Sequence, residues 1–395
     1  MSGGKYMNFI VTSPFYPENF QLFTNRLKQQ GFNVLGIGQE PYDQLPQSLK
    51  DDLTEYYKVN DLENTEEVKK AVAYLFFKHG KIDRIESQNE HWLNLEAEIR
   101  EQFNIPGNKP KDLRKVKFKS EMKKLFAKAG VPAVPGKVAN KKVTVNRIVK
   151  EFGLPLVAKP NSGVGSSGTY KLEDQEAVDK FIAEWDEKEA YFFEPYIENA
   201  KLLSYDGLID QNGEIVFETS LYYRDPTLEV LKYQLDYGYI IQKEIPEKLR
   251  AYGQAIVKQF GMKERFFHIE FFENGDDYLV VEYNNRVAGG YTIDMYNYAN
   301  HVDLFRQFAR IVDGQPFETP TVPARYCVAI THRDQNTYAH DEAALRSHYG
   351  DRLVFSKRLP DAFAALQGNQ FYGILADTEE EVEEIFNYVH QHKEG

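Results

Sequence analysis

The chain has 395 residues, 42% of them hydrophobic, with a formal net charge of -12 and a pI near 5.4. That length implies more than one domain, or one with large additions, and the apolar content suffices for a core and excludes global disorder. The acidic balance argues against a nucleic-acid surface, and no apolar run approaches the roughly 20 residues that cross a bilayer.

A single cysteine, Cys327, rules out a disulfide framework within the chain. The start, MSGGKYMNF, lacks the apolar region of a signal peptide, so a cytoplasmic location is expected.

The first hundred residues alternate strand and helix. Tyr6–Val11 is an apolar run suited to a buried strand. Asn19–Gln30 follows with Phe20, Phe23 and Leu27 on one helical face, and Gly31 ends it. Asn33–Ile37 reads as a second strand. Asn64 and Glu67 form a capping box before the stripe Val68, Ala71, Val72, Leu75 and Phe76. Ile82–Glu86 is a third strand, and a helix runs from about His91 to Phe103. This order predicts a parallel, doubly wound sheet.

Lys109–Lys117 is basic and reads as an irregular boundary. Beyond it the pattern changes to helices and hairpins. Helices are expected near 118–129, 145–152, 177–185 and 249–260, closed in three cases by Gly130, Gly153 and Gly261. Strands are expected at Leu156–Lys159 and Tyr191–Pro195. Leu202–Ile209 and Glu214–Ser220 form one hairpin, and Phe266–Phe272 and Tyr278–Tyr283 another around Asn274-Gly275. Further strands lie near Tyr326–Thr331, Leu353–Lys357 and Phe371–Ala376, before a capped helix at Thr378–Gln391. The expected fold is α/β plus α+β. The units would be a Rossmann-like domain (1–114), a small lid subdomain (115–198), a larger subdomain with a metal site (199–320) and a small C-terminal α+β extension (321–395).

Four segments carry chemistry. In LPLVAKPNSGVGSSGTY a buried strand delivers Lys159 into a loop. Gly163, Gly165 and Gly168 let backbone N–H groups turn toward an anion, and Ser162, Ser166 and Ser167 add hydroxyl donors. Taken alone, this is equally well read as a flexible surface loop.

In FFHIEFFENGDDYLVVEYNNR, Glu270 and Glu282 sit among Phe, Ile and Val, where carboxylates are costly unless paired or bound to metal. Strand alternation puts Glu282, Asn284 and Arg286 on one face. If Glu273–Asp277 is a five-residue connection, Glu270 opposes Val280 and Glu282 opposes His268. The two carboxylates are then diagonal neighbours, roughly 7–8 Å apart at Cα. An even-length connection puts them on opposite faces unless a bulge intervenes.

The strand Tyr191–Pro195 breaks at Pro195 and continues as Tyr196-Ile197. Its end can offer backbone N–H and C=O groups to an adenine edge, with Glu194 accepting from the amino group. Lys119, in the helix before Gly130-Val131-Pro132, reads on its own as an ordinary surface lysine.

In this order and spacing the four segments resemble the ATP-grasp superfamily, over roughly residues 5–320. The resemblance implies two ATP lysines, Lys119 and Lys159, a phosphate loop at Asn161–Gly168 and an adenine hinge at Glu194-Pro195-Tyr196-Ile197. It also implies magnesium ligands at Glu270, Glu282 and Asn284, within a sequence close to the family's E-x-N-x-R, and an acyl-phosphate stabiliser at Arg286. Phe118 stands where an aspartate is usual, and Lys201 and Ser204 occupy positions where an acidic ribose ligand is often found. The segments His268–Phe272 and Gly289–Met295 are similar to those of uncharacterised carboxylate–amine ligases, themselves akin to biotin carboxylases and D-alanine ligases.

The resemblance therefore implies an ADP-forming ligase. It would use ATP and Mg2+ (or Mn2+) to join a small carboxylate to an amine or thiol through an acyl phosphate. Its partners would be small molecules, and a homodimer is allowed. Tyr222–Tyr239, with Arg224 and Lys232, and Gly289–Asp294, with Asp294 toward an ammonium group, are expected to line the second pocket. Two alternatives stand beside this: phosphorylation of a carboxylate or carbamate without ligation, and a non-catalytic nucleotide sensor.

Overall fold

The computed structural model describes residues 6–162, 168–198 and 200–393. Its strands form three sheets, and their placement explains why distant sequence segments meet.

The first sheet holds β1 (Asn8–Thr12), β2 (Asn33–Gly38), β3 (Glu55–Lys58) and β4 (Arg84–Ile85), parallel in the order β3-β2-β1-β4. The doubly wound expectation holds. However, β4 is only two residues long, and β3 was not anticipated because its EYYK sequence shows no continuous apolar run. Asn64 caps the helix Thr65–His79 by accepting from the Glu67 N–H, while the Glu67 carboxylate accepts from the Asn60 N–H, so only half of the expected box forms.

The second sheet is the small one, β5 (Lys137–Ala139), β6 (Leu156–Pro160), β7 (Tyr170–Leu172) and β8 (Tyr191–Pro195), antiparallel in the order β5-β8-β6-β7. The third is an eight-stranded antiparallel sheet. Its strands are β9 (Leu202–Ile209), β10 (Ile215–Tyr223), β11 (Gly238–Ile241), β12 (Arg265–Asn274), β13 (Asp277–Asn284), β14 (Tyr326–His332), β15 (Leu353–Arg358) and β16 (Gln370–Ala376), in the order β13-β12-β9-β10-β11-β14-β16-β15. The strands of the C-terminal segment thus continue the sheet that carries the acidic hairpin.

Residues 110–117 correct an expectation. They form a helix, Pro110–Lys117, rather than an irregular link. Proline suits its first position, the Lys109 N–H donates to Asp112, and Leu113 and Val116 are buried. The basic side chains mask this amphipathic pattern in the sequence.

The first and third sheets are welded by aromatics. Phe23, on the helix Gln21–Gln30, packs edge-on against Phe305 at 4.8 Å and Phe266 at 5.9 Å between ring centroids. Each buried aromatic removes a large apolar area from water, and edge contacts add about 0.5–1.5 kcal/mol per pair. This weld brings the loop ends of β1 and β4 toward the end of β13.

Candidate nucleotide and metal site

The site begins with a register. β12 and β13 are joined by a two-residue turn, Gly275-Asp276, with Asn274 opposite Asp277. In an unbroken ladder Glu270 would then face position 281, and Glu282 would point into the core. The register instead shifts between Glu270 and Phe271, so Phe271 opposes Val280 and Glu270 opposes Glu282, leaving Val281 as an extra residue. This bulge replaces both the expected five-residue connection and the diagonal arrangement. The two carboxylates are direct cross-strand partners, which puts their Cα atoms about 4.5–5.5 Å apart. The same phase change turns Asn284 to the cleft side, opposite His268, while Val280 and Tyr283 stay in the core.

Lys159 reaches this hairpin from β6, and the helix Lys119–Lys128 reaches it from the other side. The two lysine-bearing elements are tied by Asn161, which caps that helix. Its carbonyl accepts from the Lys119 N–H at 2.9 Å, and its side-chain oxygen accepts from the Ser120 N–H at 3.1 Å. Lys119 Nζ lies 3.0 Å from Glu282 Oε1 and is 5% exposed. Lys159 Nζ donates to Glu194 Oε2 at 2.8 Å.

One cavity is lined by Lys159, Glu194–Ile197, Glu270, Glu282, Asn284 and Arg286 together. Pro226, Thr227 and Leu228 also line it. Lys119 and Ser162 belong to its surroundings: Lys119 meets it through Glu282, whereas Ser162 turns to Glu189 at 3.2 Å. Gly168 is left-handed (φ 70°), a conformation that suits glycine. Gly163, Gly165, Ser166 and Ser167 lie outside the described residues.

The electrostatics are those of a desolvated, charge-dense cleft. Glu194 is 3% exposed, and burial alone would raise its pKa. Lys123 and Lys159 overcome that and hold it down to about 2. Its carboxylate therefore faces two ammonium groups, a different arrangement from the expected acceptor for an adenine amino group. Burial opposes charge on Lys159 too, but Glu194 and Glu282 raise its pKa overall. Glu270 is kept low against burial by His268, whose Nε2 is 3.3 Å away, with Lys159 and Arg286 assisting. Arg286 donates through Nε to Glu90 Oε2 at 2.8 Å and through Nη1 to the Val287 carbonyl.

Lys123, Glu90 and His268 escaped the sequence reading as site residues. Lys123 lies on a helix rich in lysine, and Glu90 sits 196 positions from its partner. His268, inside the hairpin motif, shows in the sequence only as a register position. It is buried between Asp206 and Glu270.

The second-pocket expectations need correction. Arg224 is on the surface, paired with Glu383, and Lys232 pairs with Glu173 at 3.2 Å. Neither faces the cavity; their segment contributes only the wall near Pro226. Asp294 accepts from Asn19 Nδ2 at 2.8 Å, and burial pushes its carboxyl up to about 6.

The donor set suits a hard divalent cation. Two opposed carboxylates and an amide oxygen are oxygen ligands of the kind magnesium takes, and magnesium completes its shell with phosphates and water rather than an all-protein cage. Among the described residues no group of three or more His, Cys, Asp or Glu side chains is arranged to hold a metal by itself. No helix among them is long and apolar enough to cross a membrane.

The ATP-grasp domain family matches residues 152–294. Among characterised relatives, the 2-oxoglutarate carboxylase small subunit of Hydrogenobacter thermophilus is 28% identical over 244 residues, 58% of this chain and 50% of that protein. An uncharacterised Sinorhizobium fredii protein is 24% identical over 239 residues, 58% of this chain and 49% of the other. The chain thus spans about half the length of these relatives. The solved L-amino acid ligase from Bacillus licheniformis superposes with a TM-score of 0.74 at 14% identity, covering 97% of both chains. The biotin carboxylase domain dimer of the Hydrogenobacter thermophilus 2-oxoglutarate carboxylase, solved with MgADP, ADP and bicarbonate, gives 0.66 at 17% identity, covering 99% of this chain and 91% of the other.

Proposed function

We propose, for a chain that carries an ATP-grasp domain and has the ATP-grasp fold, that it is an ADP-forming ligase joining a small carboxylate to an amine through an acyl phosphate. One observation carries the reading: Lys159, Glu270, Glu282, Asn284 and Arg286, drawn from three separate segments, line a single cavity. Nucleotide binding alone does not require the acidic pair and the arginine together.

In this reading a carboxylate oxygen of the substrate attacks the γ-phosphorus of ATP and ADP leaves. The amine then attacks the acyl carbon, loses a proton, and inorganic phosphate departs. Lys159 and Lys119 hold the α- and β-phosphates as point charges. Glu270 and Glu282, with Asn284, would hold magnesium, which offsets the charge developing on the phosphates. Arg286 meets the transferring phosphoryl group or the acyl phosphate, its planar fork kept in place by Glu90. By the resemblance, the segment 161–168 would serve to keep water from consuming the intermediate. The location is read as cytoplasmic, with small-molecule partners, and the dimer seen for the carboxylase relative is the assembly to test first.

The test is ADP release with magnesium and ATP across a panel of amino acids, singly and in pairs. Release requiring both a carboxylate and an amine supports ligation. Release on carboxylate alone would replace it with simple phosphorylation, and tight nucleotide binding with no release would replace it with a sensor.

A further inference from the structure

Lys159 has three N–H donors, and Glu194 holds one of them, so drawing its charge toward a phosphate weakens the hold on Glu194. In the structure its Nζ is committed to Glu194 Oε2 at 2.8 Å. Were it to move to a phosphate with nothing taking its place, a carboxylate that is 3% exposed would be left as an uncompensated buried charge. Breaking a buried pair in that way is strongly destabilising.

A second cation limits that loss. Lys123 Nζ lies 2.7 Å from the other carboxylate oxygen, Glu194 Oε1. It also donates to the Val281 carbonyl at 3.1 Å. Val281 is the bulge residue whose insertion turns Glu282 toward Glu270. One ammonium group therefore spans the strand end of the adenine hinge and the kink that sets the carboxylate pair. Its Nζ lies over the rings of Phe126 and Phe192, 6.0 and 5.8 Å from their centroids. It is itself well buried, its side chain 14% exposed.

We propose that Lys123 is a positioning residue that keeps Glu194 charged and in place, fixes the bulge at Val281, and so frees Lys159 to engage the nucleotide phosphates. Lys123 does not itself meet the reacting atoms. It rests on the ligase reading only in taking the cavity as a nucleotide site.

The experiment measures MgADP affinity by titration calorimetry, with thermal melting of each ligand-free variant alongside. In Lys123→Met, Glu194 keeps only Lys159. Affinity should fall about tenfold or more, the change expected from losing one charge-assisted hydrogen bond at a site that must stay assembled. Lys123→Arg, which can still donate to both acceptors, should bind within about threefold of the wild type. In a Glu194→Gln background the carboxylate is gone and only the tie to Val281 is left for Lys123, so adding Lys123→Met should cost clearly less than in the wild type, about threefold. That non-additivity is the signature of one residue acting through another. Equal losses in both backgrounds, or unchanged affinity in Lys123→Met, would overturn the proposal. If Lys123→Met does not fold, failure of Lys123→Arg to bind MgADP while melting normally would overturn it as well. Absence of MgADP binding in the wild type would overturn the nucleotide site itself, and the proposal with it.

Discussion

Glu282→Gln is the substitution whose effect the geometry fixes most closely. It keeps the shape and acceptor oxygen of a residue directly opposite Glu270, and removes one charge. At an effective dielectric of 20, a unit charge about 4 Å from a divalent cation contributes on the order of 8 kcal/mol. A metal that takes Glu282 displaces Lys119 Nζ, now 3.0 Å from Glu282 Oε1, and losing that pair costs on the order of 5 kcal/mol by the same rule. The net loss is about 3 kcal/mol, equivalent to about a hundredfold weaker magnesium binding. The assay is a magnesium titration of nucleotide binding at fixed ADP, with melting temperature as the control for folding. The apparent magnesium constant should rise about a hundredfold while binding of metal-free ADP is kept. A magnesium dependence within about threefold of the wild type would refute the assignment of the carboxylate pair as the metal site.

Other outcomes follow from the same geometry. Arg286→Lys keeps the charge but loses the fork, so turnover should fall about a hundredfold with ADP affinity unchanged; a parallel loss of both would place Arg286 in ground-state binding. Burial pushes the Asp294 carboxyl up to about 6, above its ordinary value of 3.8, so its charged form is disfavoured by folding. Its contribution is thus neutral below pH 3.8 and becomes a penalty of about 2–3 kcal/mol as pH rises through 6. Asp294→Asn should therefore raise the melting temperature at pH 7.5 and leave it unchanged near pH 3.5, and an equal shift at both would deny the titration. Arg100, 2% exposed, pairs with Glu86 at 3.0 Å and Glu96 at 3.4 Å, and burial with the Glu86 charge pushes Glu96 up to about 8. Arg100→Met should reduce unfolding free energy by about 3–5 kcal/mol in urea, and a loss below about 1 kcal/mol would mean that these carboxyls readily take up protons.

How much of this was legible in the sequence depended on scale. Val145–Phe152, Tyr191–Pro195 and Leu202–Ile209 stand where their apolar spacing puts them, because each buries a continuous face. The strands Lys137–Ala139, Tyr170–Leu172 and Gly238–Ile241 left no pattern, being three or four residues long and defined by their neighbours in the sheet. The candidate ligands were marked by a local anomaly, acidic residues in apolar strands. Their facing one another was not, because it depends on a bulge at Val281 that no residue type announces. Lys123 illustrates the opposite limit. Its sequence context is a charged helix face, and only the fold reveals that this lysine turns inward to a carboxylate 71 positions away.

The measurement closest to the central claim is the fate of the substrate's own oxygen. With a carboxylate and amine pair identified by ADP release, the carboxylate is labelled with oxygen-18 and the phosphate product is analysed by mass spectrometry. Passage through an acyl phosphate carries one labelled oxygen into inorganic phosphate for each amide bond formed. Phosphate free of label, with amide formed at the same rate, would contradict the mechanism drawn from this cleft.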